Sequence, residues 1–142
     1  MGTEWTITLR VRYGEVDRMG IAYYANYLDW FTEGRTELLR RAGVAYREVE
    51  ELGLLLPVLS TACRYHRPCG YDEEIELTTA ARISPTRLRC DYRLQRAQDL
   101  LAEGYTEHAF VRASDMHPVN AARLFPEIFA KFRHLPAYRP TK

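Results

Sequence analysis

Polar and apolar residues alternate at the start of the chain. Trp5, Ile7, Leu9, Val11 and Tyr13 fall on one side, and Glu4, Thr6, Thr8, Arg10 and Arg12 on the other. A period of two predicts a strand over residues 5–13 with one face buried. Gly14 and Gly20 then bracket an irregular loop. Across residues 24–42 the period becomes helical, with Tyr24, Tyr27, Phe31, Gly34 and Leu38 on one stripe, widened by Leu28 and Trp30. Asp29, Glu33, Arg40 and Arg41 occupy the other face. Gly34 weakens a helix relative to Ala, so its place on the buried stripe predicts close approach to a sheet. Gly43 suits the position just past the helix end, and Arg40 and Arg41 suit the negative end of its dipole.

Downstream, a short helical turn is expected over residues 46–52, and β-rich stretches over 55–67 and 74–84. In the second, Ile75, Leu77, Thr79, Ala81 and Ile83 point inward. After Ser84-Pro85-Thr86, Leu88, Cys90, Tyr92 and Leu94 alternate with charged residues, and a further strand is expected over residues 101–113. Pro118 and Asn120 mark a loop, and Pro126 opens a terminal helix reaching residue 133. Successive strands with tight turns give an antiparallel sheet, which one amphipathic helix can cover. The fold class is α+β, in one domain over residues 1–142.

Composition narrows the function classes. A net charge of +1 leaves no electrostatic footprint for nucleic acid or an anionic membrane. Cys63, Cys69 and Cys90 contain no C-x-x-C pair and fit a reducing compartment, so the expected location is cytoplasmic. The first residues lack an apolar signal core, and the run 52–59 is broken by Gly53 and Pro57 and too short to span a bilayer. His66, His108, His117 and His134 lack metal-ligand spacing, and no G-x-S-x-G occurs. No metal or organic cofactor is expected.

The remaining candidate chemistry lies in residues 12–27. There Asp17 sits between two glycines, just ahead of a helix start. A loop Asp in that position is most often a turn or capping residue. The alternative is chemical. The first turn of a helix offers unpaired N–H groups and a positive dipole end, which suit a developing oxyanion, and Asp17 can reach the same space.

The run Arg12-Tyr13, Glu15, Asp17, Gly20, Tyr23 and Ala25-Asn26-Tyr27-Leu28, continued by Glu33, Arg35, Thr36, Glu37 and Leu39, resembles the hotdog-fold acyl-CoA thioesterases. The resemblance is to the 4-hydroxybenzoyl-CoA thioesterase and YbgC-like branch. Tyr65, Arg67, Pro68 and Asp72-Glu73 extend it more loosely. The resemblance implies a five-stranded antiparallel sheet wrapped around one long helix, with a short C-terminal helix. It implies Asp17 as nucleophile or general base, and the Tyr24 backbone N–H as the group polarising the thioester carbonyl. Many members carry His where this chain has Tyr24. Another hotdog branch uses a helix Glu, which keeps Glu33 and Glu37 as rival acids. Gly20 and Tyr27 are expected beside the substrate. Arg87, Arg89 and Arg123 are candidate partners for CoA phosphates, against a plain solvated-face role. Asn26 is expected to be structural, and His66 and His108 to be satisfied core or interface groups. The family also implies a homodimer or homotetramer with sites between protomers.

The function expected is therefore hydrolysis of a small or medium acyl-CoA, aromatic ones included. The competing reading is a non-catalytic acyl-thioester binding module on the same fold. Thioester-linked hydration or dehydration usually needs a His, and residues 12–27 contain none.

Overall fold

The computed structural model describes residues 4–139; the outermost residues of the expected 1–142 domain lie outside them. The first strand, β1 (Glu4–Arg10), ends at Arg10 rather than Tyr13. The cause is a competing partner. Val11 N–H donates to Glu73 O at 3.0 Å, Asp72 N–H donates to Val11 O at 2.9 Å, and a 3₁₀ turn follows at Tyr13–Glu15. Tyr13 consequently faces solvent at 77% exposure. The long helix α1 (Asn26–Arg41) starts after Tyr24. Isolated bridges Val16↔Ala22 and Ile21↔Gly70 keep the backbone extended up to Ala22. Tyr24 therefore stands outside the core at 61% exposure, correcting its place on the predicted buried stripe.

The helical turn α2 (Tyr46–Glu51) is followed by a strand that Pro57 splits. Lacking an N–H, Pro57 interrupts the ladder. β2 (Leu54–Leu55) leaves the main sheet, and β3 (Val58–Tyr65) stays in it. The next strands are β4 (Glu74–Ile83), β5 (Arg87–Arg96) and β6 (Asp99–Ala109). Two-residue β7 (Val111–Arg112) and β8 (His117–Pro118) join β2 in a small second sheet that periodicity does not predict. The expected loop at Asn120 is the start of α3 (Ala121–Leu124), whose cap is the Asn120 side chain accepting from Arg123 N–H at 3.0 Å. α4 (Pro126–Ala130) completes the order, ending short of residue 133.

The main sheet runs β1-β4-β5-β6-β3, all antiparallel, with β1 and β3 at its edges. The helix α1 lies across one face. Gly34 makes this approach possible, since a Cβ there would meet the Thr79 hydroxyl and come within 2.7 Å of Leu77 Cδ2. One turn earlier Phe31 stacks on Tyr92, with centroids 4.2 Å apart and planes 2° off parallel. Burying each such ring is worth about 1.5–3 kcal/mol. The inward residues of β4 and β5, from Ile75 to Leu94, are buried as their alternation predicts. Among the described residues no helix is long and apolar enough to cross a membrane. The five-stranded sheet with its single long helix is the hotdog architecture.

Candidate active site

The loop from β1 to α1 is built around a buried carboxylate, Glu15. Its side chain accepts from Arg12 N–H at 2.7 Å, Trp30 Nε1–H at 2.9 Å and Arg12 Nη2–H at 3.4 Å. Burial opposes the charge, but these donors outweigh it and hold the Glu15 carboxyl below its usual range. The Glu15 carbonyl accepts from Tyr23 N–H at 2.8 Å and Asn26 Nδ2–H at 2.7 Å. Asn26 thus ties the loop to the helix start, the structural role expected of it.

Beyond Glu15 the chain makes a tight reversal. Asp17 N–H donates to Ile21 O at 2.9 Å, and Gly20 N–H to Asp17 O at 3.0 Å. Gly20 adopts φ 79°, a region that a side chain disfavours. Asp17 Oδ1 accepts from Met19 N–H at 2.8 Å, fixing the carboxylate, while the other oxygen has no partner among the described residues. The whole reversal docks on residues 69–70 through Ala22 N–H to Cys69 O at 2.7 Å.

A cavity of about 360 Å³ opens beside this loop, lined by Asp17, Met19, Tyr24 and Tyr27 on the loop and helix side and by Tyr65 and residues 66–68 after β3. The Tyr24 N–H makes no hydrogen bond among the described residues. No side chain caps α1 at Ala25, and the N–H groups of Asn26, Tyr27 and Leu28 are taken by the carbonyls of Tyr23, Tyr24 and Ala25, which leaves the Tyr24 N–H, just ahead of the helix, without a competitor. Tyr27 is buried beneath the turn, its hydroxyl 3.6 Å from Cys69 Sγ, and burial raises the pKa of both groups. Tyr65 crosses from β3 to donate its hydroxyl to Tyr24 O at 2.9 Å. Burial, with the Cys63 side chain beside it, pushes the Tyr65 phenol up to about 12. Asp17, Tyr24 and Tyr27 therefore border one space, with Gly20 in the turn that presents Asp17.

The other candidates lie elsewhere. Arg89 pairs with Asp91 at 3.0 Å and stacks over Tyr105 at 3.8 Å, beside a larger depression of about 510 Å³ over β3, β5 and β6. That depression contains no free helix start. Arg87 pairs with Glu107, which also accepts from Tyr138. Glu33 and Glu37 line a groove of about 380 Å³ between α1 and β1. His108 is fully buried and bonded on both nitrogens, as expected, whereas His66 is exposed at the end of β3. Sequence reasoning did not single out Glu15 or Tyr65 for a role beyond family likeness. Trp30 on the buried stripe is a signal for Glu15, since a buried indole N–H needs an acceptor. Nothing in one sequence pairs Tyr65 with Tyr24.

A family model described as the thioesterase-like superfamily matches residues 11–132. YneP of Bacillus subtilis, provisionally named an acyl-CoA thioesterase, is 31% identical over 84% of this chain and 88% of its own. The acyl-CoA thioesterase YbgC of Haemophilus influenzae is 29% identical over 92% and 96% of the two chains. The solved DHNA-CoA thioesterase of Staphylococcus aureus superposes with a TM-score of 0.87 at 25% identity, covering 92% of this chain and 89% of that one. The family match and the fold agree, and the chain belongs to the thioesterase-like superfamily as a thioester hydrolase on a hotdog fold.

Proposed function

We propose that this protein hydrolyses an acyl-CoA to the free acid and CoA in the cavity between Asp17 and Tyr24. One observation carries the reading: Asp17, a fixed carboxylate with an uncommitted oxygen, and Tyr24, whose N–H just ahead of the helix has no acceptor, line the same mainly apolar cavity. A thioester carbonyl seated there accepts from Tyr24 N–H, which draws charge toward its oxygen. One preorganised donor of this kind is worth about 2.7–4 kcal/mol in the transition state. Asp17 then acts in one of two ways. As nucleophile, its oxygen bonds to the carbonyl carbon, the C–S bond breaks, and CoA leaves as a thiolate. One water then cleaves the aspartyl anhydride, which regenerates the Asp17 carboxylate and the free acid, and a proton of that water goes to the thiolate. As general base, Asp17 takes a proton from the attacking water and returns it to the departing thiolate.

Tyr27 forms the cavity floor and Gly20 permits the turn that aims Asp17. Arg87 and Arg89 are assigned to the CoA phosphates, which would displace Glu107 and Asp91 from their guanidinium groups. A second copy of the chain is assigned to the edge strand β3, where every residue but Cys63 is exposed, Val58 and Leu59 among them. Three free cysteines support a cytosolic enzyme. The test is free-thiol release from a panel of aromatic, short branched and medium-chain acyl-CoAs by wild type and Asp17→Asn. Turnover by wild type that the variant lacks supports the reading. Binding without thiol release by wild type turns it into an acyl-thioester binding module.

A further inference from the structure

The turn that carries the Tyr24 N–H is held from two sides. On the loop side, Glu15 O accepts from Tyr23 N–H and from Asn26 Nδ2–H, and Asn26 N–H donates to Tyr23 O at 3.0 Å. Of these bonds one, at the Tyr23 carbonyl, is made to the peptide unit that contains the Tyr24 N–H, and it holds that unit from one side only. The next peptide unit, carrying Tyr24 O, faces a longer intrahelical donor, Tyr27 N–H at 3.3 Å. Its shorter bond, 2.9 Å, comes from Tyr65 on the far wall of the cavity. Tyr65 is well placed to act as a strut. Its backbone pairs with Ala102 on β6, and its ring meets buried Tyr27 edge-on, with centroids 4.8 Å apart and an interplanar angle of 81°. The hydroxyl thus spans from the sheet to an exposed turn that no side chain caps.

We infer that Tyr65 is a positioning residue: its hydroxyl, by holding the Tyr24 carbonyl, anchors the peptide unit after the Tyr24 Cα and so limits rocking of the unit before it, which carries the Tyr24 N–H toward the substrate carbonyl. This rests on the proposed function, since it assigns Tyr65 to the same site. The physical argument is one of preorganisation. A donor aimed before the reaction costs no reorganisation during it, whereas a turn free to rock about Tyr24 loses part of that advantage. Tyr65 touches no reacting atom in this scheme. Its effect therefore falls on the chemical step rather than on substrate capture.

The test is Tyr65→Phe, which keeps the ring against Tyr27 and removes only the donor. With benzoyl-CoA and hexanoyl-CoA as probes, kcat is expected to fall about tenfold, equivalent to about 1.36 kcal/mol, with KM within about twofold of wild type. The pH–rate profile keeps its shape, because Tyr65 exchanges no proton. A second readout is the thioester carbonyl stretch of each probe bound to Asp17→Asn, where hydrolysis does not intervene. Tyr65→Phe in that background moves the stretch back toward its value in water. A kcat and carbonyl stretch equal to the parent's overturn the positioning role even if Asp17→Asn is dead. So does an altered pH profile, which would make Tyr65 an acid. Failure of wild type to hydrolyse either probe or any other acyl-CoA overturns the activity and this role together.

Discussion

Two polar regions of this molecule are built on opposite plans. Under the sheet, Arg35 Nη1–H donates to Tyr92 Oη at 3.0 Å, Tyr92 Oη lies 2.6 Å from Thr106 Oγ1, and Thr106 Oγ1 lies 2.8 Å from His108 Nε2. The chain ends where His108 Nδ1 meets Leu56 O at 2.9 Å. Only one polarity satisfies every group. Leu56 O can only accept and Arg35 can only donate, so each hydroxyl passes its proton toward a neutral His108. Charging His108 would turn Nε2 into a donor to Thr106 Oγ1 and leave one hydroxyl proton of this chain, that of Thr106 or of Tyr92, without its acceptor. At the helix start the plan is different: the Tyr24 N–H and one Asp17 oxygen have no partner among the described residues, and both residues line a cavity. The buried chain satisfies its polar groups within the fold, and the helix start leaves its own unpaired beside the cavity.

Crossed substitutions give the sharpest way to break this contrast. Asp17→Asn should lower kcat by about 10²–10⁴-fold, the range for loss of a positioned acid or base. It should leave the thermal unfolding midpoint near that of wild type, because the carboxylate's one local bond is to an exposed loop N–H. A matching fall in midpoint would make Asp17 a structural residue after all.

The next effect belongs to the satisfied chain. Burial, with the nearby Arg35 charge, lowers the His108 pKa from 6.5 to about 4. A base with a depressed folded pKa is neutral in the native state while the unfolded chain takes up a proton. Its stabilising contribution is therefore complete above pH 6.5, declines as pH falls from there, and is fully lost below about 4. The loss is about 3 kcal/mol. Urea unfolding at pH 7.5, 5.5 and 4.5 reads it, and His108→Gln should flatten that slope. An equally steep slope in the variant would assign it to other groups.

Glu15 stands between the two plans, since it is fully satisfied yet frames the site. Glu15→Gln places an amide NH₂ among the Arg12 and Trp30 donors and should cost about 1–3 kcal/mol in denaturant unfolding. Its depressed folded pKa puts its charge-dependent stability above the unfolded value of 4.5, lost only as pH falls further, which separates it from the His108 window. A variant as stable as wild type would show that the buried carboxylate does not hold the loop. The smallest effect is expected from Tyr24→His, which restores the residue common among the resembled family. If the backbone N–H does the work, kcat changes within about threefold, a small surface effect beside that of Asp17. A large change in its pH–rate profile would bring the side chain into the chemistry.

Much of this was visible in the sequence where one period ran long enough to be unambiguous. The alternations of β4 and β5 and the long stripe of α1 fall where the pattern puts them, and Gly34 marks the approach to Leu77 and Thr79. Short or interrupted features were not legible. Two-residue strands such as β7 have no period, and Pro57 diverts β2 to a different sheet. Tyr24 has the right spacing for the stripe, but bridges at Ile21 and Ala22 hold the chain extended until just before it. The place of Asp17 in a tight turn ahead of the helix was legible through its flanking glycines. The bond from Tyr65 to Tyr24 joins residues 41 apart and depends on where β3 lies, which no local pattern reports.

The most direct measurement is free-thiol release from the best acyl-CoA by Asp17→Asn, Glu33→Gln and Glu37→Gln, assayed side by side with wild type. The expected result is loss in Asp17→Asn alone, with both helix variants active, since Glu33 and Glu37 line a different groove. Retained turnover in Asp17→Asn, with loss in Glu33→Gln or Glu37→Gln, would move the reacting acid from the loop to the helix and contradict the site described around Tyr24.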